Sequence, residues 1–283
     1  MRPGRARRLV GLGRRLLAAA VFVPCFLLIA WRGQHYFVLL VNLILLTGMY
    51  EFYSMMAAKG LRPFKVVGVA AAVLLPWAAY VQEGTWANLV LAALVVLALG
   101  LELLRREVRE PLAHIAVTIL GVLYVCWLGS HFVLLRELPR LRQAPYSQGF
   151  RFVMLTFLLT WMSDTGAYLV GSLVGRHKLA PRISPGKSVE GSVGGIALAV
   201  IAGIVAAHTF ARDELTPLLG AGLGASAAVF GQIGDLVESL LKRDAQVKDT
   251  SGAIPGHGGV LDRFDSVLFT APLLYYVLRF FLP

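Results

Sequence analysis

The sequence predicts an all-α, polytopic integral membrane protein of about nine transmembrane helices with a cytoplasmic N-terminus. Composition is the first observation. The 283 residues are 57% hydrophobic and only 15% charged, where a soluble globular chain carries about 25% charged residues. Mean hydropathy is +0.70. The second observation is that apolar runs close to the ~20 residues needed to cross a bilayer recur along most of the chain. The third is the placing of Lys and Arg between those runs.

The first run, 16–31, follows a basic flank of Arg2, Arg5, Arg7, Arg8, Arg14 and Arg15 and so looks like a secretory signal. No small-residue cleavage site follows Trp31 and another run begins at once, so it reads as a retained helix. Runs at 35–56, 65–82, 86–104 and 112–135 complete an N-terminal group of about five spans in residues 1–150. Runs at 151–175, 191–210, 217–241 and 264–282 form a C-terminal group in residues 151–283, and the charged motifs belong to that half. With the N-terminus inside, the cytoplasmic segments hold 20 Lys/Arg and the outer ones 7, the bias expected of inside loops. The connection 136–151, with Arg136, Arg140, Arg142 and Arg151, runs against it. This topology places the connections 176–190 and 242–263 on one cytoplasmic face.

Cys25 and Cys126 lie within apolar runs without a partner at ligand spacing, which is the pattern of packing residues. The net charge of +11 does not point to nucleic acid. Residues 164–265 carry nine Lys/Arg against ten Asp/Glu. The excess lies elsewhere, where it serves orientation and attraction to anionic lipid.

Residues 239–265, SLLKRDAQVKDTSGAIPGHGGVLDRFD, stand out from this apolar background. Immediately upstream, Asp235, Glu238, Ser239 and Lys242 are spaced i, i+3, i+4, i+7 and so share one helical face. A solvated helix end is the bland alternative, but acid, acid, hydroxyl and cation on one stripe argue for a site. In PGHGGVLDRFD, the His257-Gly258-Gly259 turn needs backbone freedom, and its amides suit an anion. Asp262 and Asp265 follow at i, i+3 and face a common point; carboxylate oxygens are the ligands that hard cations take. His257 alone reads as a turn residue and not as a base. SPGKSVEG, 184–191, falls short of a phosphate-binding P-loop because Pro181 occupies the position of the first glycine. It remains a flexible cationic loop in which Lys187, with Ser184 and Ser188, grips phosphate. Asp164, in WMSDTGAYLVG, is an acid within an apolar span and a further functional candidate.

Together these residues resemble the phosphatidate cytidylyltransferase (CDP-diacylglycerol synthase) family. Its C-terminal signature is matched by Ser239, Leu241, Lys242, Arg243, Lys248, Asp249, Pro255, His257, Gly258, Gly259, Asp262, Arg263 and Asp265 without departure. The similarity in motifs covers about 160–266. The resemblance implies transfer of a cytidylyl group from CTP to phosphatidate, with release of pyrophosphate. It implies Mg²⁺, with K⁺ as a second ion, and a homodimer in the cell membrane with its active site facing the cytoplasm. It carries metal ligation onto Asp235, Asp262 and Asp265, with Asp249 as an additional candidate. Catalytic contact is expected from Asp235, Ser239, Lys242, Asp262 and Asp265. Phosphate binding is expected from Lys187, Ser188, Arg243, Lys248, Arg263, His257, Gly258 and Gly259. Two rivals stand beside this reading. A membrane CTP-dependent kinase would release CDP and not pyrophosphate. An ion-coupled transporter would spread its acids through mid-membrane, whereas six of the sixteen acids lie in 235–265.

Overall fold

The structure is a computed structural model, and it describes residues 23–82, 84–106, 109–247, 249–251 and 258–282. Over these residues the chain is a bundle of helices. Helix α1 (Val23–Arg32) leads into α2 (Gln34–Ala58), α3 (Lys65–Val81), α4 (Gly84–Leu103) and α5 (Pro111–Gly121). A six-residue π-helix (Val122–Trp127) joins α5 to α6 (Leu128–Leu141), and α7 (Ser147–Val174) follows. A short hairpin, β1 (Lys178–Ala180) and β2 (Ser184–Ser188), precedes α8 (Val189–His208), α9 (Pro217–Asp244) and α10 (Leu261–Phe281). Among the described residues seven helical stretches are long and apolar enough to cross a membrane, the continuous Pro111–Leu141 being one of them. Helices α1 and α3 are shorter apolar segments.

The helical expectation therefore holds, with one addition. The connection expected to be a flexible loop forms an antiparallel hairpin in which Lys178 pairs with Ser188 and Ala180 with Ser184, with an irregularity between them. Its register is closed by the Val189 amide donating to His177 O at 2.8 Å. Ser188 then serves as the N-cap of α8, its hydroxyl accepting from Gly191 N at 3.1 Å. This satisfies one of the amides that every helix start leaves open. Thr216 does the same for α9, ahead of Pro217 at the first helical position, where a missing N–H costs nothing.

Helices α7, α8 and α9 approach at backbone distance. A Cβ placed on Gly166 would lie 2.6 Å from Gly194 O, and Gly203 and Gly220 each face the other's carbonyl more closely still. Between apolar helices in lipid, close van der Waals contact through small residues replaces the hydrophobic drive that operates in water.

The polar contacts sort into two ends of the bundle. At one end, Arg151 pairs with Glu214 at 2.8 Å and Gln82 donates to Glu137 O at 2.6 Å. Arg136 is wholly buried there. Its guanidinium donates to Ala30 O, Trp31 O and Tyr146 O at 2.7, 2.8 and 3.1 Å, and stacks 4.0 Å from the Tyr146 ring. Arg140 pairs with Glu137 at 2.8 Å, and Arg142 donates to Arg279 O at 2.9 Å and to Leu282 O. The four arginines that disturb the charge count are thus structural staples. They fasten α1, α6, α7 and α10 together and are bound to fixed partners. At the opposite end, Lys59 pairs with Asp244 at 2.5 Å and Arg243 donates to Ile183 O at 3.3 Å. The hairpin and the C-terminal end of α9 meet there.

Candidate active site

Helix α9 presents its acidic stripe as the spacing requires. Lys242 Nζ reaches Glu238 Oε2 at 2.6 Å, one turn back, and the Ser239 hydroxyl stands 3.5 Å from Asp235 Oδ1. Helix α10 runs against this stripe because Gly234 permits it: a Cβ there would lie 2.6 Å from Asp265 O and 2.9 Å from the Phe269 ring. The outcome is a cluster in which Asp235, Glu238 and Asp265 each offer an oxygen within 4.8 Å of the other two. Asp265 Oδ1 additionally accepts from its neighbour's amide, Ser266 N, at 2.6 Å. Replacing Gly234 by Ala is expected to push α9 from α10 and spread the carboxylates. Overpacking of this kind costs about 1–3 kcal/mol, so both the unfolding midpoint and the affinity for Mn²⁺ in calorimetric titration should fall. Unchanged Mn²⁺ affinity in a folded Gly234→Ala protein would show that the helix contact does not set the cluster.

Asp262 stands beside that cluster in a different role. Its Oδ1 pairs with Lys242 Nζ at 2.7 Å, so one ammonium ties α9 to α10. Its Oδ2 accepts from Gly259 N at 2.7 Å, Thr250 Oγ1 at 3.0 Å and Thr250 N at 3.1 Å. Gly258 adopts φ +79° and has no room for a Cβ beside Asp262 Oδ2, which is why glycine stands there. A Cβ on Gly259 would press on Thr250 Oγ1 and lie 2.5 Å from Glu51 Oε2.

Glu51, on α2, is the residue that sequence reasoning missed. It is 1% exposed. Its carboxylate accepts from Leu261 N at 2.8 Å, Val260 N at 2.9 Å and the Ser251 hydroxyl at 2.5 Å, with the Thr250 hydroxyl at 3.3 Å. It therefore caps the start of α10, whose own N-cap, Val260, has no side-chain acceptor. A carboxylate at a helix N-terminus also meets the positive end of the helix dipole. No motif in the first half of the sequence marked it; its only signal was an acid inside the apolar run 35–56.

The hairpin delivers a second cation. Lys187 Nζ lies 2.7 Å from Asp235 Oδ2. Asp164 on α7 is exposed and within electrostatic reach of Asp235 and Lys187. The structure thus brings together Asp235, Ser239, Lys242, Asp262, Asp265 and Lys187, and adds Glu238 and Glu51. Asp262 stands outside the three-carboxylate group and is engaged by Lys242. Ser188 is buried and engaged as a helix cap. Asp249 and Arg263 are exposed, and Arg243 is turned to the hairpin backbone. Lys248 and His257 lie outside the described residues.

An all-oxygen set of three acids suits a hard divalent cation. Glu238 Oε1, buried and without a hydrogen-bond partner among the described residues, fits that use, since buried polar atoms are otherwise satisfied. The arrangement gathers carboxylates for a cation and two lysines for anionic oxygens at one end of the bundle.

Comparison with known proteins covers nearly the whole chain. A family model described as the cytidylyltransferase family matches residues 13–281. A phosphatidate cytidylyltransferase of Synechocystis sp. is 33% identical over 290 residues, spanning 95% of this chain and 97% of that protein. Proteins of the same name from Staphylococcus aureus and Staphylococcus epidermidis are each 34% identical over 269 residues, spanning 93% of this chain and 98% of theirs.

Proposed function

The chain belongs to the cytidylyltransferase family, and from that premise we propose that it is a phosphatidate cytidylyltransferase. It is a nucleotidyltransferase that converts CTP and phosphatidate into CDP-diacylglycerol and pyrophosphate in phospholipid biosynthesis. The observation that carries the reading is the contact of Lys187 and Lys242 with the cluster of Asp235, Glu238 and Asp265 oxygens.

Phosphatidate brings its own nucleophile, so the chain needs none. A phosphate oxygen of the lipid forms a bond to the α-phosphorus of CTP as the bond from that phosphorus to the bridging oxygen breaks, and pyrophosphate carries the electron pair away. Both reactants are anionic. In such transfers positioning and charge neutralisation dominate. Lys187 and Lys242 supply positive charge to phosphate oxygens, Ser239 orients one of them, and the Gly259 amide holds Asp262. Asp235, Glu238 and Asp265 would hold Mg²⁺, with Asp262 keeping Lys242 in place. A bound divalent ion would supply charge neutralisation for the phosphates at this cluster. The finer expectations belong to the same reading: nine spans with the N-terminus inside, a cytoplasmic active site in residues 151–283 braced from the first half, K⁺ as a second ion, and a homodimer. The alternation of the two polar ends along the chain supports that topology.

Purified protein with labelled CTP, phosphatidate and Mg²⁺ is expected to yield a lipid-soluble cytidine product and one pyrophosphate per turnover. Formation of CDP in place of pyrophosphate, or no turnover by folded protein, would exclude the reading.

A further inference from the structure

Tyr124 lies in the π-helix between α5 and α6. A π turn re-aims the side chains it carries, and such turns concentrate at functional sites. The Tyr124 ring is 5% exposed and is wedged edge-on between Phe52 at 6.1 Å and Phe269 at 6.3 Å. Phe52 follows Glu51. Phe269 is one turn beyond Asp265, and its ring covers Gly234, the residue before Asp235. Gly48 draws the same elements together, since a Cβ on it would touch Val125 at 3.3 Å and Leu261 at 3.9 Å. The ring is thus held by the residue that follows Glu51 and by the one a turn beyond Asp265.

The Tyr124 hydroxyl is buried and has no hydrogen-bond partner among the described residues. The charged groups that act on it are Glu238, Asp265, Asp235 and Asp262. Glu238 Oε1 is also buried and without a partner, while Glu238 Oε2 is held by Lys242. Two buried polar atoms are therefore left without a hydrogen-bond partner among the described residues, an O–H donor on Tyr124 and a carboxylate oxygen on Glu238. Buried tyrosine hydroxyls find partners, and a water with several polar neighbours is the usual link where two such groups do not touch. Phenylalanine would fill the same space between Phe52 and Phe269 without bringing a donor.

We propose that Tyr124 is a positioning residue for the cation-binding carboxylates: its hydroxyl, joined to Glu238 Oε1 through one water, fixes the orientation in which Glu238 faces Asp235 and Asp265. The inference rests on the cation-binding part of the reading above. It adds a residue from the N-terminal half that acts on the ion through Glu238. Partners that orient a ligating carboxylate are worth about 10–100-fold in metal affinity.

The test uses full-length protein in lipid nanodiscs, without nucleotide or lipid substrate. Mn²⁺ binding is followed by electron paramagnetic resonance for wild type, Tyr124→Phe, Glu238→Gln and the double variant, with helicity and thermal midpoint measured alongside. Tyr124→Phe is expected to weaken Mn²⁺ binding about tenfold. It should raise the Mg²⁺ concentration for half-maximal turnover by the same factor, with the maximal rate falling much less. In the Glu238→Gln background Tyr124→Phe should have no further effect, since coupled residues are not additive. Unchanged Mn²⁺ affinity in Tyr124→Phe, or additive effects in the double variant, would overturn the proposal. So would loss of the fold in Tyr124→Phe, which would make the hydroxyl a structural requirement. A wild type that makes no CDP-diacylglycerol would refute the reaction, while the Mn²⁺ comparison would still decide the role of Tyr124.

Discussion

Replacing Asp265 by Asn is expected to lower kcat/KM for CDP-diacylglycerol formation by about a thousandfold while leaving the bundle folded. Asn keeps the size and one acceptor oxygen, so the Ser266 amide retains its partner. What is lost is one of the three negative charges whose oxygens lie within 4.8 Å of one another. A catalytic cation contributes several kcal/mol of charge stabilisation in the transition state, and about 4 kcal/mol corresponds to about a thousandfold in rate. Asp265→Asn should also fail to take up Mn²⁺ at concentrations that saturate the wild type. Because the substitution relieves repulsion among clustered acids, the thermal midpoint in the absence of metal should stay level or rise. A folded Asp265→Asn protein with wild-type rate and Mg²⁺ dependence would remove Asp265 from the metal site.

The second large effect is expected at Glu51. Glu51→Leu fills nearly the same space but leaves Val260 N, Leu261 N and the Ser251 hydroxyl without their acceptor. Each buried donor left unsatisfied costs about 1–3 kcal/mol, so a loss of about 4 kcal/mol or more is expected. With about 2–4 °C per kcal/mol for a chain of this size, the apparent midpoint should fall by roughly 10 °C. Activity should fall further than stability accounts for at assay temperature, because the first turn of α10 carries Asp262 and Asp265. Glu51→Gln retains one acceptor oxygen and should lie between Leu and wild type on both measures. If Glu51→Leu melts and turns over like the wild type, the cap is not what seats α10.

How much of this was legible follows from the range over which each feature acts. The stripe from Asp235 to Lys242 is local, and helical spacing alone placed its members on one face. Placement of 176–190 and 242–263 on one face followed from alternation of apolar runs, and the Arg243 contact with Ile183 O joins the two connections. Glu51 was not legible because its partners are about 200 positions away and nothing around it repeats or signals. The hairpin escaped notice because SPGKS, with its Pro and Gly, has no alternating pattern; its pairing comes from the partner strand. The π-helix was hidden because VLYVCW is apolar on every side, so no change of period marks the extra residue. The arginines of 136–151 were visible, but charge counting cannot separate a solvated cation from one that caps buried carbonyls.

The clamp of Glu51 on Leu261 joins residues 210 positions apart in the chain. Ribosomal synthesis runs from the first to the last, so α2 is made and inserted long before α10 exists. Until α10 arrives, Glu51 lacks the amides of Val260 and Leu261, Lys242 lacks Asp262, and Asp235 and Glu238 lack Asp265. The carboxylate cluster and the clamp are therefore incomplete until α10 has been threaded in and docked. Contacts of such long range also form late and slowly. Premature termination anywhere before α10 should yield an embedded chain without the three-carboxylate cluster.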